Sequence, residues 1–320
     1  MGGIRRSTNG PFQRINHFRS DRDIHYGNMR DMGPLKEVVA RVHPHEVYNL
    51  AAQSDVGISF QCPDETMEVN YHGLGRLVHA IMEIDSSARI YQASTSEMFG
   101  KTKPPQNETS PMCPVSPYGE SKLFAHRDFV EGYRDQHGLF ITSGILFNHE
   151  SPRRGEHFVT RKITISLSKI KLGLQDVLEF GNLDAKRDWG FAGDYVDAMW
   201  RMLQRETPRD YIISTGVTHT VRDFVDAAAS ALDMPITWEG KGLGEVGRDG
   251  NGKIVVRVNK EFYRPSEVHE LQGDCTKAKT ELDWESSTSF SELVRMMVEH
   301  DTAIIELKEK TARAISGEKC

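Results

Sequence analysis

Residues 88–100 read ARIYQASTSEMFG. The segment starts as an apolar strand and then changes character. After Tyr91 come small and hydroxyl residues, Ala93, Ser94 and Thr95, and two residues past Thr95 stands a carboxylate, Glu97. Residues 66–84 upstream carry helical periodicity, with Val69, Leu74, Leu77, Val78 and Ile81 apolar. Before them EVYNLAA (46–52) is a short buried-strand pattern. Downstream, SPYGESKLFAHRDFVEGYRDQHG (116–138) reads as a helix that Gly138 can end, and FITSGILFN (140–148) as the next strand. Apolar runs alternating with helices predict an α/β fold, a Rossmann-like doubly wound parallel sheet with helices on both faces.

After Asn148 the texture changes. HESPRRGEHF (149–158) is polar and irregular. VTRKITISLSKIKLG, GDYVDAMWRMLQR (193–205), TVRDFVDAAASALD and the tail from Ser289 to Leu307 read as helices, the third of them capped by Thr220. DYIISTG (210–216) reads as a strand. EGKGLGEVGRDGNGKIV (239–255) is rich in glycine and charge and is expected to be a loop that orders around a ligand. The expected organisation is a nucleotide-binding domain over 1–150, with returns near 188–216, and a smaller interleaved substrate lobe over 151–320.

Bulk properties narrow the function classes. The chain has 320 residues, 38% hydrophobic and 27% charged, as in an ordinary globular protein. A net charge of −6 gives no reason to expect nucleic acid or an anionic membrane as partner. No apolar run approaches the roughly 18 residues that span a bilayer. The start, MGGIRRSTNG, has no apolar core of a secretion signal. Cys62, Cys113, Cys275 and Cys320 are scattered, which suits reduced thiols in the cytoplasm. Thirteen histidines include no HExxH, so no metal is expected.

Tyr118 and Lys122, four apart near a helix start, share one helical face. An ammonium beside a phenol favours the phenolate, which can take a proton from a sugar hydroxyl. Y-x-x-x-K alone is a weak signal, but this is its one occurrence among nine tyrosines. A hydroxyl at a strand's C-terminal end and a Tyr/Lys pair on the following helix can converge over the crevice of an open sheet. This combination resembles the extended short-chain dehydrogenase/reductase family. The resemblance makes Thr95 the hydroxyl position, Tyr118 the base and Lys122 the lysine that holds the cofactor ribose. Glu97 then acquires a use. Oxidation of a sugar at C4 acidifies the C5 proton, and a nearby carboxylate can take it and pass one to the departing 6-hydroxyl.

QASTSEMFG, SPYGESK, GILFNHESPRRG, FVTRKI, GNLDAKRDWG, EVGR, YRPSEV and LQGDCTKAK occur in that order over most of the chain. Together they resemble the GDP-mannose 4,6-dehydratase family. The resemblance implies conversion of GDP-mannose to GDP-4-keto-6-deoxy-mannose by a lyase, with internal hydride transfer through bound NADP and a homodimer or homotetramer. It places Ser96, Asn148, Arg161, Lys162, Arg187, Arg248, Arg264 and Glu267 at the GDP-mannose site. Arginines and lysines suit a pyrophosphate. It places Arg5, Arg6, Ser7, Asn28, Met29, Leu50, Ala51, Ala52, Gln53, Ser54, His149 and Arg154 at NADP. There LAAQS (50–54) offers small residues to the dinucleotide, and an arginine after the second strand suits a 2′-phosphate.

By the same resemblance a strand and a G-x-x-G-x-x-G turn are expected roughly 25 residues before the R-R-S element, where the turn cradles the pyrophosphate. The sequence starts almost on that element. The expectation is therefore a sheet with a gap between neighbouring strands and a cofactor short of its main anchor. Asn28 and Met29 stand where the family often has Asp-Leu, and Glu65 where a tyrosine can contact cofactor. Two alternatives use the same residues. One is a related NADP-dependent epimerase or reductase, against which Glu97 speaks. The other is a non-catalytic nucleotide-sugar-binding protein.

Overall fold

The structure is a computed structural model that describes residues 2–5, 24–262 and 268–316. The chain divides into two compact units. The first comprises Met1–Leu146, Val196–Ile213 and Asp274–Trp284, and the second Phe147–Tyr195, Ser214–Gly273 and Glu285–Cys320.

In the first unit, strands β1 (Gly2–Arg5) and β2 (Ile24–Gly27) pair in parallel, with Arg5 opposite Gly27. A second, four-stranded parallel sheet has β3 (Glu46–Asn49), β4 (Arg89–Thr95), β5 (Ile141–Leu146) and Tyr211–Ile213 in that order. Every residue of β5 is buried, as in a parallel strand covered on both faces. Among the described residues the outer edge of β3 has no strand partner.

Helices α1 (Met32–Val42), α2 (Val56–Gln61), α3 (Pro63–Met67), α4 (Gly73–Ile84), α5 (Pro117–Ala125) and α6 (Gly132–His137) accompany these strands, together with Thr276–Leu282 and most of Ala192–Leu203. The α4 positions 74, 77, 78 and 81 form one buried stripe against Val39, Ile90, Ile141 and Val130. Both long helical runs contain a π-helical turn. Glu68–His72 lies between α3 and α4, and His126–Glu131 between α5 and α6. Gly138 closes α6 at φ 63, a left-handed cap that a residue with Cβ adopts only at a cost.

In the second unit, helices Val159–Lys171, Val221–Ala231 and Phe290–Ser316 share a core with a four-stranded sheet. Thr220 caps Val221–Ala231 in a full capping box with Asp223. The sheet corrects the expectation for 239–255. Thr237–Glu239, Val246–Arg248 and Ile254–Val258 are antiparallel neighbours, and Ile254–Val258 also pairs with Leu178–Phe180. Val255, Val256 and Val258 are buried. Five of the six glycines of 239–255 lie between the strands, and Gly247 lies within Val246–Arg248. Gly240 and Gly252 sit at φ 80 and φ 81, and Asp249 accepts from the N–H groups of Asn251 and Lys253. Glycine content marked tight turns there, while the β-branched residues between them carried the strand signal. No helix among the described residues is long and apolar enough to cross a membrane.

Candidate functional site

Four residues of the first unit come together at the C-terminal end of β4. Thr95 is its last residue, and Thr95 Oγ1 accepts the Glu97 N–H at 3.2 Å, capping the short 3₁₀ turn Ser96–Met98. Ser96 is buried and Glu97 is half-buried. Helix α5 starts opposite, with Ser116 as its cap and Pro117 in its first turn. The approach is close because residue 119 is glycine. A Cβ there would lie 2.7 Å from the Glu97 carbonyl oxygen. The glycine inside SPYGESK thus sets how near the Tyr118 helix comes to the Glu97 turn.

Tyr118 and Lys122 are both buried. Lys122 Nζ donates to the Ala93 carbonyl at 2.7 Å, two residues before Thr95. Removal from water pushes the Lys122 ammonium down to about 8. Gln92 Nε2 also donates to Ala93 O, and Asn49 Nδ2 donates to Gln92 Oε1 at 2.7 Å, tying the ends of β3 and β4.

The 50–54 loop leaves β3 with Leu50 and Ala51 exposed. It is held by a residue that the sequence did not single out. Asn70, buried in the first π-helical turn, accepts the Gln53 N–H and donates to Gln53 O. Its amide also donates to Ser121 Oγ, which donates to Tyr118 O. One side chain therefore links the loop to α5. A helix-period reading places Asn70 one residue after an apolar position and gives no hint of this. Asn28 and Met29 form the turn after β2, and Met29 lies against Gly73 of α4. The backbone of Arg5 ends β1. Arg6, Ser7, Arg264 and Glu267 lie outside the described residues.

The remaining predicted residues belong to the second unit. Asn148 and His149 lie on Asn148–Glu150, paired in parallel with Trp189–Phe191. His149 stacks on Tyr195, and its Nδ1 lies 2.9 Å from Phe147 O. Burial pushes this imidazole down to about 4, so it is neutral at ordinary pH. Arg154 pairs with Glu150 and lies over the Phe158 ring. Lys162 donates to Glu179 O with its ammonium 3.6 Å from the Phe262 ring centre. Arg248 binds Glu239 and Gly252 O. Arg161 departs from the expectation. Its guanidinium makes a buried bidentate pair with Asp301 and donates to the Pro152 and Arg154 carbonyls. These four bonds tie it to Asp301 and to the 152–154 loop.

Arg187 is buried, and next to it is Asp188, a second residue that sequence reasoning passed over. The Asp188 carboxylate accepts from Thr215 N and Oγ1, Gly216 N and Gly273 N. Burial still holds its pKa above the usual carboxylate value. Among the described residues, His126, Glu131 and Asp210 come within ligand distance of one metal position. Arg134 already pairs with Asp210 through both carboxylate oxygens, so a cation would meet a competitor.

The sequence profile of a family described as GDP-mannose 4,6 dehydratase matches residues 1–297. A GDP-mannose 4,6 dehydratase of Drosophila melanogaster is 48% identical over 321 residues, covering 97% of this chain and 80% of the relative. That of Homo sapiens is 48% identical over 293 residues, covering 90% of this chain and 78% of the relative. Among solved structures, RMD from Pseudomonas aeruginosa complexed with NADPH superposes with a TM-score of 0.75 at 18% identity, over 90% of this chain and 94% of that one. At that identity the likeness concerns the fold.

Proposed function

Since the chain belongs to the GDP-mannose 4,6-dehydratase family, we propose that Thr95, Glu97, Tyr118 and Lys122 carry out its reaction, the conversion of GDP-mannose to GDP-4-keto-6-deoxy-mannose with loss of water, on bound NADP. When bound, NADP supplies the place where the C4 hydrogen is held as hydride before its return at C6. The donor set suits such a group. Lys122 spends one proton on Ala93 O, which leaves two for ribose hydroxyls. The 50–54 loop leaves its backbone open to close approach.

Tyr118 takes the proton of the 4-hydroxyl, with Thr95 Oγ1 hydrogen-bonded to the same hydroxyl. Lys122 keeps a positive charge near the phenol and favours its ionised form. Glu97 then removes the C5 proton, made acidic by the 4-keto group, and delivers it to the 6-hydroxyl, which leaves as water; C5 regains a proton as C6 is reduced, and the proton held by Tyr118 supplies it. The observation that carries this reading is the approach of α5 to the Glu97 turn at Gly119, which supports Tyr118 and Glu97 acting on one substrate as base and proton shuttle.

Asn148, Lys162, Arg187 and Arg248 of the second unit, with Arg264 and Glu267, are proposed to hold GDP-mannose. His149 and Arg154 are proposed to hold NADP. The neutral imidazole of His149 offers a hydrogen-bonding group without a charge. Among the described residues, Cys62, Cys113 and Cys275 form no disulfide, which supports the cytoplasm as the compartment. The family supports a homodimer or homotetramer, measurable by light scattering.

The test is Glu97→Gln, assayed by mass spectrometry with GDP-mannose and NADP⁺. The variant should bind GDP-mannose normally and lose dehydration by about 10²-fold or more. Dehydration at the wild-type rate would remove Glu97 from the mechanism.

A further inference from the structure

The turn after β2 holds one charged side chain whose partner the proposed reaction does not explain. Its backbone is fixed from several sides. Asn28 Oδ1 accepts the Arg30 N–H, and the Asp31 N–H donates to Asn28 O. Arg76 Nη1 donates to Met29 O at 3.0 Å, and a Cβ on Gly73 would lie 2.8 Å from Met29 Cβ. Asp31 caps α1 through the Gly33 N–H. From this anchored turn the Arg30 guanidinium reaches out to Glu65 Oε1 at 2.5 Å.

Glu65 lies on α3, which follows the 50–54 loop and α2 in the chain and packs against α5, the helix of Tyr118 and Lys122. The pair thus ties the turn at the C-terminal end of β2 to the helices that follow β3. An open parallel sheet binds a dinucleotide in the crevice outside the carboxyl ends of its strands. Arg5 ends β1 directly opposite Gly27, so the C-terminal ends of β1 and β2 lie together here. Both members of the pair are well exposed, at 41% and 39%. Water screens such a pair, and it exchanges partners easily.

We infer that Arg30 is a further cofactor-selecting residue, which binds the adenosine 2′-phosphate of NADP, and that Glu65 competes for it. This rests on NADP as the cofactor. A phosphate carries close to two charges, and two of its tetrahedrally arranged oxygens can accept from the planar fork of a guanidinium, so it displaces a single exposed carboxylate. Glu65, displaced from Arg30, stays near the phosphate and opposes it by like-charge repulsion. Arg30 therefore raises, and Glu65 lowers, the preference for a dinucleotide with a 2′-phosphate over one without.

The experiment is calorimetric titration of the full chain with NADP⁺ and with NAD⁺, at two salt concentrations, for wild type, Arg30→Gln and Glu65→Gln. Thermal unfolding of each protein controls for folding, since both side chains are exposed. Arg30→Gln should weaken NADP⁺ about tenfold, leave NAD⁺ within about twofold, and flatten the salt dependence of NADP⁺ binding. Glu65→Gln should tighten NADP⁺ about three- to fivefold without affecting NAD⁺. Unchanged NADP⁺ affinity in Arg30→Gln overturns the proposal. So does equal weakening of both dinucleotides, which would mark the pair as scaffold. Loss in Arg30→Gln without a gain in Glu65→Gln overturns the competition. A wild type that binds neither dinucleotide refutes the cofactor reading itself, a result distinct from all the others.

Discussion

Replacing Lys122 by methionine should make the protein more stable and inactive. The Lys122 ammonium is 3% exposed, and burial brings its pKa from 10.5 to about 8. At about 1.4 kcal/mol for each pH unit, that displacement bounds the cost of keeping the charge at neutral pH at about 3 kcal/mol. Methionine removes the charge and keeps an unbranched stem of similar length. It also removes the bond to Ala93 O, a loss of about 1 kcal/mol. That carbonyl still accepts from Gln92 Nε2 at 3.0 Å, so it is not orphaned. The expected net gain is about 1–2 kcal/mol at pH 7. The pH dependence carries the same information. Between about 8 and 10.5 the unfolded chain holds the Lys122 proton and the folded protein does not, so stability rises with pH in that window. Below about 8 the full cost is present. Urea unfolding of both proteins at pH 7 and pH 9.5 measures it. Burial also lowers the pKa of Lys162, so the quantity to read is the difference between wild type and variant. A methionine variant less stable than wild type at pH 7, or a difference that does not shrink at pH 9.5, would refute the reasoning.

Gly119→Ala would set a Cβ 2.7 Å from Glu97 O, and backbone cannot yield as a side-chain tip can. It should cost about 1–3 kcal/mol in urea unfolding. It should also lower kcat more than it raises KM, because it displaces Tyr118 from Glu97. Asp188→Asn puts an amide where the carboxylate accepts from backbone N–H groups of Thr215, Gly216 and Gly273, and should destabilise by about 2–4 kcal/mol by differential scanning calorimetry. Retained stability there would mean the three N–H groups find other acceptors. His149, with its pKa pushed down to about 4, should show no imidazole titration from pH 5.5 to 8 by NMR with labelled histidine. The stability gained by keeping it neutral is present above about 6.5 and lost as pH falls toward 4.

Much of the fold was legible in the sequence because local chemistry decided it. The apolar stripe at 74, 77, 78 and 81, the capping Thr220 and the terminating Gly138 each act within a turn or two of helix. The Tyr118/Lys122 pair was legible for the same reason, since helical spacing alone puts both on one face. The stretch 239–255 misled because composition averages over turns and strands. Most of its glycines lie between strands, with Gly247 inside Val246–Arg248, and the strand that begins at Ile254 pairs with Leu178–Phe180, distant in the chain.

The sequence by itself determined the alternating α/β order, the hydroxyl and carboxylate at the end of β4, and the family. Those depend on residue type and on spacing over a few positions. Only the tertiary structure decided that Asn70 joins the 50–54 loop to α5, that Arg161 is spent on Asp301, that Asp188 gathers three backbone N–H groups, and that Arg30 meets Glu65. Each is a pairing between residues far apart in sequence or hidden by their elements. A polar side chain's partner is set by which backbones fold against it, and no local pattern encodes that.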